Sequence, residues 1–254
     1  WKKFGNKAKY LASDYTMPVH RGLKNKEIYF LDFCYALSEM KKLKKEAKSI
    51  TIIDHHISKK SVLKIADNYS YNVNNSGAVL AWKYFYPQKP VPKLLFYIED
   101  DDLYQFKMPF TKKLIAFLNF CDLKFFLWNK IADDFENFKK RKAYIKKGEI
   151  LLKYEEIITR HLISHVIKIK FNGYNALVVN SPVFHSKIGH ILVEKNPPIG
   201  VVWYQHNGQN VFSLRSNGKV DVSKIAKKYG GGGHKAAAGF ELDIKKGMPW
   251  KYLR

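Results

Sequence analysis

Apolar residues follow two rhythms along this chain. In the first half, short runs of β-branched and aromatic residues alternate with longer mixed stretches. Glu27 to Asp32 reads Glu-Ile-Tyr-Phe-Leu-Asp and Ile50 to Asp54 reads Ile-Thr-Ile-Ile-Asp. Both are too short for an ordinary helix and both close on a carboxylate, so each predicts a strand, the second one buried. Between them, Tyr35 to Ala47 predicts a helix of mixed charge. After the turn residues Asn74-Asn75-Ser76-Gly77 an apolar helix is expected from Ala78 to Phe85. Strand, carboxylate, helix is the rhythm of a doubly wound parallel sheet. Lys93 to Ile98 is a further apolar run, and it leads into Glu99-Asp100-Asp101-Asp102. Ahead of all these, Trp1 to Ala8 reads as the tail of a helix and Tyr10-Leu11-Ala12 as a short strand.

The rhythm turns helical from Leu114 to about Val166. Phe117, Phe120, Phe125, Phe126, Trp128, Phe135 and Phe138 fall there and are expected in a core rather than on a base-stacking platform. Beyond this stretch the period returns to two. Val166 to Phe171, Tyr174 to Asn180, Ile199 to Tyr204 and Asn210 to Arg215 predict strands, with hairpin signals at Asn172-Gly173 and Asn207-Gly208. A short helix, Val222 to Tyr229, then Gly230-Gly231-Gly232-Gly233-His234 and a last strand from Ala236 to Leu242 complete the pattern. The expected fold class is α/β. A parallel-sheet domain over residues 1–127, a helical linker over 128–165 and a smaller α/β domain over 166–254 make up its expected organisation.

Composition adds a partner class and removes others. With 254 residues, 46% hydrophobic and 15% aromatic, the chain has enough apolar surface for two modest cores. No apolar run approaches the ~20 residues of a membrane span, and no secretory signal pattern opens the sequence. Cys34 and Cys121 lie far apart without metal-type spacing, which fits a reduced, cytoplasmic setting better than a disulfide framework. The formal net charge is +23, nearly all of it lysine, and such a field favours polyanions such as nucleic acid. The runs at Lys41–Lys45 and Lys139–Lys142 read equally well as solvated helix faces.

Candidate chemistry concentrates at a few points. In an open α/β sheet the carboxyl ends of strands face the ligand crevice, so Asp54, His55 and His56 would be delivered to a binding site. The acidic cluster at 99–102 is the densest in a basic chain and calls for a cation. Four consecutive glycines let backbone N–H groups approach an oxyanion, and Arg215 in Ser213-Leu214-Arg215-Ser216 offers a guanidinium suited to phosphate. His161 and His165 have a zinc-like spacing, yet Leu162 stands where a metalloprotease carries its glutamate, so the pair reads as structural. His185, His190 and His206 read as surface or packing residues.

Asp54-His55-His56 at a strand end, an earlier strand ending in Asp32, a later acidic site at Asp100 and a terminal Gly-Gly-Gly-Gly-His preceded by Ser-Leu-Arg-Ser occur here in one order. In that combination the chain resembles the DHH family of phosphoesterases with a C-terminal DHHA1 domain. The resemblance implies hydrolysis of phosphoester bonds in short oligonucleotides or single-stranded nucleic acid, with Mn²⁺ or Mg²⁺ in a two-metal site. By it, Asp32 would bridge the metals and His55 and Asp100 would complete one site, with Asp102 in reserve. Asp54 would fix the ring of His55, and His56 would face the scissile phosphate. Arg215, Gly231, Gly232, Gly233 and His234 would hold the rest of the substrate. A homodimer is compatible with the resemblance, and no membrane partner is implied. The family's first motif, a histidine and aspartates at the end of a first strand, has no counterpart before Trp1-Lys2-Lys3. Asp14 and His20 are nearest and fall too late in the order, so the sequence is expected to be truncated at its N-terminus. Alternative readings are a 3′-phosphoadenosine nucleotide phosphatase and an inactive nucleic-acid-binding remnant.

Overall fold

The computed structural model describes residues 1–13, 17–56 and 60–253. The chain divides into two units, Trp1–Leu152 and Lys153–Arg254, the division falling inside one long helix.

In the first unit, strands β1 (Glu27–Leu31), β2 (Ser49–Asp54) and β3 (Asn68–Tyr71) form a parallel sheet in the order β1-β2-β3. Helices α1 (Leu37–Glu46) and α2 (Lys60–Leu63) cover one face, where Met40, Leu43, Val62 and Leu63 pack with Ile50 and Ile52. Helix α3 (Gly77–Phe85) packs against all three strands. Flanked by strands and covered by helices, β2 is buried from Ile50 to Asp54, which is why its apolar run is unbroken. The sequence missed β3, whose four residues Asn-Tyr-Ser-Tyr carry little apolar signal. Pairing with the buried β2, Ile52 opposite Tyr69 and Asp54 opposite Tyr71, makes it a strand. At the front of the chain the expected helix tail is only a 3-10 turn, Gly5–Lys7, and residues 10–12 pair with no strand.

Lys93 to Ile98 does not end at a strand tip. It opens helix α4 (Lys93–Asp102), introduced by Pro92, whose fixed φ suits a helix start. Helices α5 (Thr111–Asn119), α6 (Phe125–Glu136) and the first part of α7 (Phe138–Ile163) close on it around Leu94, Tyr97, Leu114, Ile131, Phe135 and Ile145. Of the seven aromatics expected in a core, Phe117 and Phe135 are buried and Trp128 packs partly. Phe120, Phe125, Phe126 and Phe138 are exposed, Phe120 by 75%. They sit where helices end or begin, off the inward stripe, and Phe125 stacks instead on Trp1 at 5.6 Å.

The buried carboxylate Asp134 ties this helical layer together. It accepts from Lys130 at 2.6 Å, Lys140 at 2.7 Å and Tyr144 at 2.8 Å, and those bonds hold it well below the usual carboxylate range. Burial and the bond to Asp134 push the Tyr144 phenol up to about 12. A depressed carboxylate stabilises the fold above its unfolded pKa and loses that contribution as pH falls through the folded value. Asp134→Asn is therefore expected to lower the thermal midpoint at pH 7 and to match the native protein once both are strongly acidified. A midpoint deficit of the same size at every pH would refute the linkage.

The second unit is a seven-stranded mixed sheet in the order β10-β4-β5-β6-β7-β9-β8. Its strands are β4 (Ile167–Phe171), β5 (Tyr174–Asn180), β6 (Ile199–His206), β7 (Gln209–Ser216), β8 (Gly232–Gly233), β9 (Ala237–Asp243) and β10 (Trp250–Tyr252). Helix α8 (His185–Lys195) lies on one face over Leu177, Val179 and Val202. On the other face, helix α9 (Val222–Lys228) joins Phe171, Val178, Val201, Phe212 and Phe240. Covered on both sides, β5 is buried continuously from Ala176 to Val179. Strand β7 alternates instead, with Phe212 and Leu214 turned into the core and Ser213 and Arg215 to the opposite face. No helix among the described residues is long and apolar enough to cross a membrane.

Candidate metal centre

Parallel pairing sets the first unit's site. Leu31 of β1 lies opposite Ile53 of β2, so Asp32, His55 and His56 leave neighbouring strands at the same edge of the sheet. Asp32 is held there by its N–H donating to the Ile53 carbonyl at 2.8 Å. Its backbone is left-handed, φ 59°, a conformation that aspartate and asparagine tolerate better than most residues. The result is that Asp32, His55 and His56 each offer a donor atom within 4.8 Å of the others, the arrangement a single cation needs.

The individual contacts assign different jobs to the two imidazoles. His55 Nε2 lies 3.2 Å from Asp32 Oδ1 and 3.6 Å from Asp102 Oδ2. Its pKa is raised, first by the hydrogen bond to Asp32 and then by the Asp102 charge, against the opposing effect of burial. The fully buried Asp54 serves His56. Asp54 Oδ1 bonds the His56 ring at Nδ1 (2.6 Å) and accepts the backbone N–H groups of His55 and His56 at 2.7 and 3.0 Å. Burial alone would push Asp54 up, but these bonds outweigh it and its pKa is lowered. The expectation that Asp54 fixes His55 is thus corrected: it orients His56, because a two-residue reach from a strand end brings Nδ1 of the second histidine back to the carboxylate.

The choice between Asp100 and Asp102 is also corrected. On helix α4 two positions apart means about 200° of rotation, so the two carboxylates point to opposite sides. Asp100 is buried and points inward. It accepts the N–H groups of Lys107 at 2.7 Å and Met108 at 3.0 Å and the Thr111 hydroxyl at 2.5 Å. Burial opposes ionisation of Asp100, and those three donors overcome it, lowering its pKa. Asp102 is the residue that faces His55. Its pKa is raised by burial and by the charges of Asp32 and Glu99, with His55 and His56 opposing. Carboxylates that crowd one another around an imidazole form a donor set that a hard divalent cation relieves, and a mixed oxygen and nitrogen set suits Mn²⁺ well.

A third element closes the site. Ser76 caps α3 by accepting from the Val79 N–H, and Glu99 accepts from the Ser76 N–H at 2.7 Å and the Asn75 amide at 3.1 Å. This seats Gly77 directly against Asp32, where an added Cβ would fall 2.6 Å from the Asp32 Cβ. Gly77→Ala is expected to turn the Asp32 side chain away from the histidines and to weaken Mn²⁺ binding about tenfold, a typical cost of disturbing a ligand's support. Calorimetric titration with Mn²⁺ checks it; unchanged affinity would show that Asp32 has room to yield.

The remaining predicted residues lie in the second unit. Gly230, with φ 84°, and Gly231 terminate α9: their N–H groups bond the Lys227 carbonyl at 3.1 Å and the Ala226 carbonyl at 2.9 Å, a Schellman closure. Gly231 also lies so close to Phe240 that a Cβ would meet its Cβ at 2.5 Å. The first two glycines therefore shape the chain. Gly232 and Gly233 pair with Gly239 and Ala238, and His234 closes a tight turn with Ala237 at 2.7 Å. All four of these positions, Gly231 to His234, are therefore engaged with α9 or β9. Arg215 Nη1 donates to the Leu214 carbonyl at 2.9 Å and the Ser213 hydroxyl at 3.3 Å. His161 and His165 lie face to edge at 4.9 Å, with His165 Nδ1 on the His161 carbonyl, a helix-end contact. Of the two nearest candidates for a first motif, His20 bonds Ala12 and Ser13, and Asp14 lies outside the described residues.

Geometry thus defines an α/β protein with a candidate divalent-metal centre at the carboxyl end of a parallel sheet. Residues 179–247 match the sequence model of the DHHA1 domain. Over 236 residues the chain is 31% identical to uncharacterized protein R106 of Acanthamoeba polyphaga mimivirus, a span covering 89% of this chain and 55% of that protein. A 66-residue stretch is 36% identical to oligoribonuclease NrnB of Bacillus subtilis, covering 26% of this chain and 16% of that protein. The chain therefore spans about half the length of the first relative and less of the second. Among solved structures, the pGpG-specific phosphodiesterase PggH of Vibrio cholerae aligns with a TM-score of 0.44 at 13% identity, over 89% of this chain and 94% of that one. An exopolyphosphatase-related protein of Bacteroides fragilis aligns with a TM-score of 0.43 at 16% identity, over 85% and 66%. Likeness at that level is loose; the matched domain, DHHA1, lies within the second unit.

Proposed function

We propose that this protein is a metal-dependent phosphoesterase that hydrolyses phosphodiester bonds in short oligonucleotides or at the ends of single-stranded nucleic acid. The observation that carries the reading is the convergence of Asp32, His55 and His56 within 4.8 Å, with Asp102 beside them. Asp32, His55 and Asp102 would hold Mn²⁺ or Mg²⁺, which supplies an activated water and charge neutralisation at the phosphate. His56 is fixed through Nδ1 by Asp54, so that Nε2, on the far side of the ring from the carboxylate, would meet a phosphate oxygen or a leaving group. Arg215 offers a two-pronged contact to a second phosphate, and the Gly231 to Gly233 backbone with the His234 ring would line the place it occupies. Residues 1–127 then form the catalytic domain, 128–165 the connecting helices and 166–254 the substrate-binding domain. The net charge of +23 favours encounter with a polyanion, and two cysteines outside any disulfide agree with a cytoplasmic protein.

The test incubates the protein with a labelled dinucleotide, a single-stranded oligomer and 3′-phosphoadenosine 5′-phosphate, each with Mn²⁺ and with chelator. Chelator-sensitive release of mononucleotides from the first two is the expected result. Release of phosphate from the third alone would favour a nucleotide monoesterase. Binding of the oligomer without turnover in any arm would overturn the catalytic reading in favour of a nucleic-acid-binding role.

A further inference from the structure

In the second unit, helix α8 crosses the face of the sheet that carries Arg215. Gly200, Val202 and Tyr204 of β6 stand on that face opposite Arg215, Ser213 and Val211 of β7. The helix starts over the Tyr204 end, where the His185 ring stacks on Tyr204 at 4.7 Å and only 4° from parallel. One turn later comes Gly189, and its missing side chain makes a notch: a Cβ there would fall 2.6 Å from the Arg215 Cγ. The stem of Arg215 is therefore pinned at the notch, and the bond from Nη1 to Ser213 aims the guanidinium along β7 toward the His185 end.

His185 is unusual in its own right. Its Nε2 is buried and has no hydrogen-bond partner among the described residues. The ring lies beside the backbone of Ser181 and Pro182; with Nδ1 donating there, the neutral ring keeps Nε2 as an acceptor. A buried acceptor left unmet is costly, which favours a state of the protein in which it is met.

We infer that His185 is a positioning residue for Arg215, its Nε2 accepting one N–H of the guanidinium when that group turns from its own strand to a substrate phosphate. The inference rests on the proposed role of Arg215 as a phosphate ligand. One edge of the planar fork is then held by the imidazole while the other makes the bidentate contact, so less side-chain freedom is lost when the phosphate arrives. Burial and the nearby Arg215 charge both keep the imidazole neutral, the form able to accept. The Tyr204 stack keeps it in place.

The experiment measures binding of a 5′-phosphorylated dinucleotide to the full chain in chelator, and its hydrolysis with Mn²⁺, for Arg215→Ala, His185→Phe and His185→Gln. Phenylalanine preserves the stack on Tyr204 without an acceptor; glutamine restores an acceptor. His185→Phe is expected to raise Kd and KM about tenfold, the size of one hydrogen bond to a charged group, with kcat within about twofold. His185→Gln is expected to recover most of the loss. If Arg215→Ala weakens binding while His185→Phe binds as the native protein does, the inference fails and the phosphate role of Arg215 stands. If Arg215→Ala binds normally, that role fails first and the inference with it. Should His185→Phe not fold, the ¹⁵N shift of His185 Nε2 in the native protein decides: it moves toward a hydrogen-bonded value on saturation with the dinucleotide, and a static resonance overturns the inference.

Discussion

Asp32→Asn is expected to lower Mn²⁺-dependent hydrolysis by about a thousandfold or more and to weaken Mn²⁺ binding in parallel, since a shared charged ligand is lost. Asparagine is the informative substitution. It keeps the shape of the side chain and tolerates the left-handed backbone at φ 59°, where alanine would add strain of its own. The Asp32 side chain is about half exposed, at 49%, so the fold does not depend on its burial and the thermal midpoint should move little. Steady-state kinetics with a dinucleotide and calorimetric titration with Mn²⁺ read the two effects separately. Native-like metal affinity in this variant would remove Asp32 from the centre and take the two-metal reading with it. A parallel loss would tie turnover to a carboxylate that lies close to both imidazoles, His55 at 3.2 Å and His56 at 3.9 Å.

What was legible in the sequence follows from how each signal arises. The strand that ends in Asp54 was readable because burial against helices demands an unbroken β-branched run, as at Ile50 to Ile53, whereas β1, with only Phe30 of its five residues buried, was readable from its β-branched and aromatic residues. The hairpins at Asn172-Gly173 and Asn207-Gly208 were readable because left-handed turn positions select those residues, and all four have positive φ. Strand β3 was hidden because hydrogen bonding to β2, rather than any apolar pattern of its own, makes it a strand. Helix α4 concealed which acid faces His55: a string of four acidic residues does not reveal which member faces inward until the helical phase is known. Glu99, which ties α3 to the site through Ser76 and Asn75, gave no signal beyond membership of that string. The glycine run was legible as a special backbone, yet its first two members answer to the end of α9, which only the hydrogen bonds disclose.

The pair Asp100 and Asp102 turns that point into the second large prediction, a crossed one. Asp100→Asn removes the charge from three short bonds inside the first unit and replaces an acceptor oxygen with a donor amide facing N–H groups that are already donors. Loss of charge-assisted bonds at a buried site typically costs about 2–4 kcal/mol, a large part of a domain's stability. Asp102→Asn has the opposite profile. Asp102 makes its closest contact with His55 rather than with the fold, so its loss should weaken Mn²⁺ binding about ten- to a hundredfold and leave denaturant unfolding close to native. Urea unfolding and Mn²⁺ titration on both variants decide the matter. If Asp100→Asn unfolds like the native protein and loses metal while Asp102→Asn keeps it, the helical phase argued for α4 is wrong and the ligand is the inner carboxylate after all. If the crossed result holds, two neighbouring acids of one type divide the work of folding and chemistry by the rotation of a single helix.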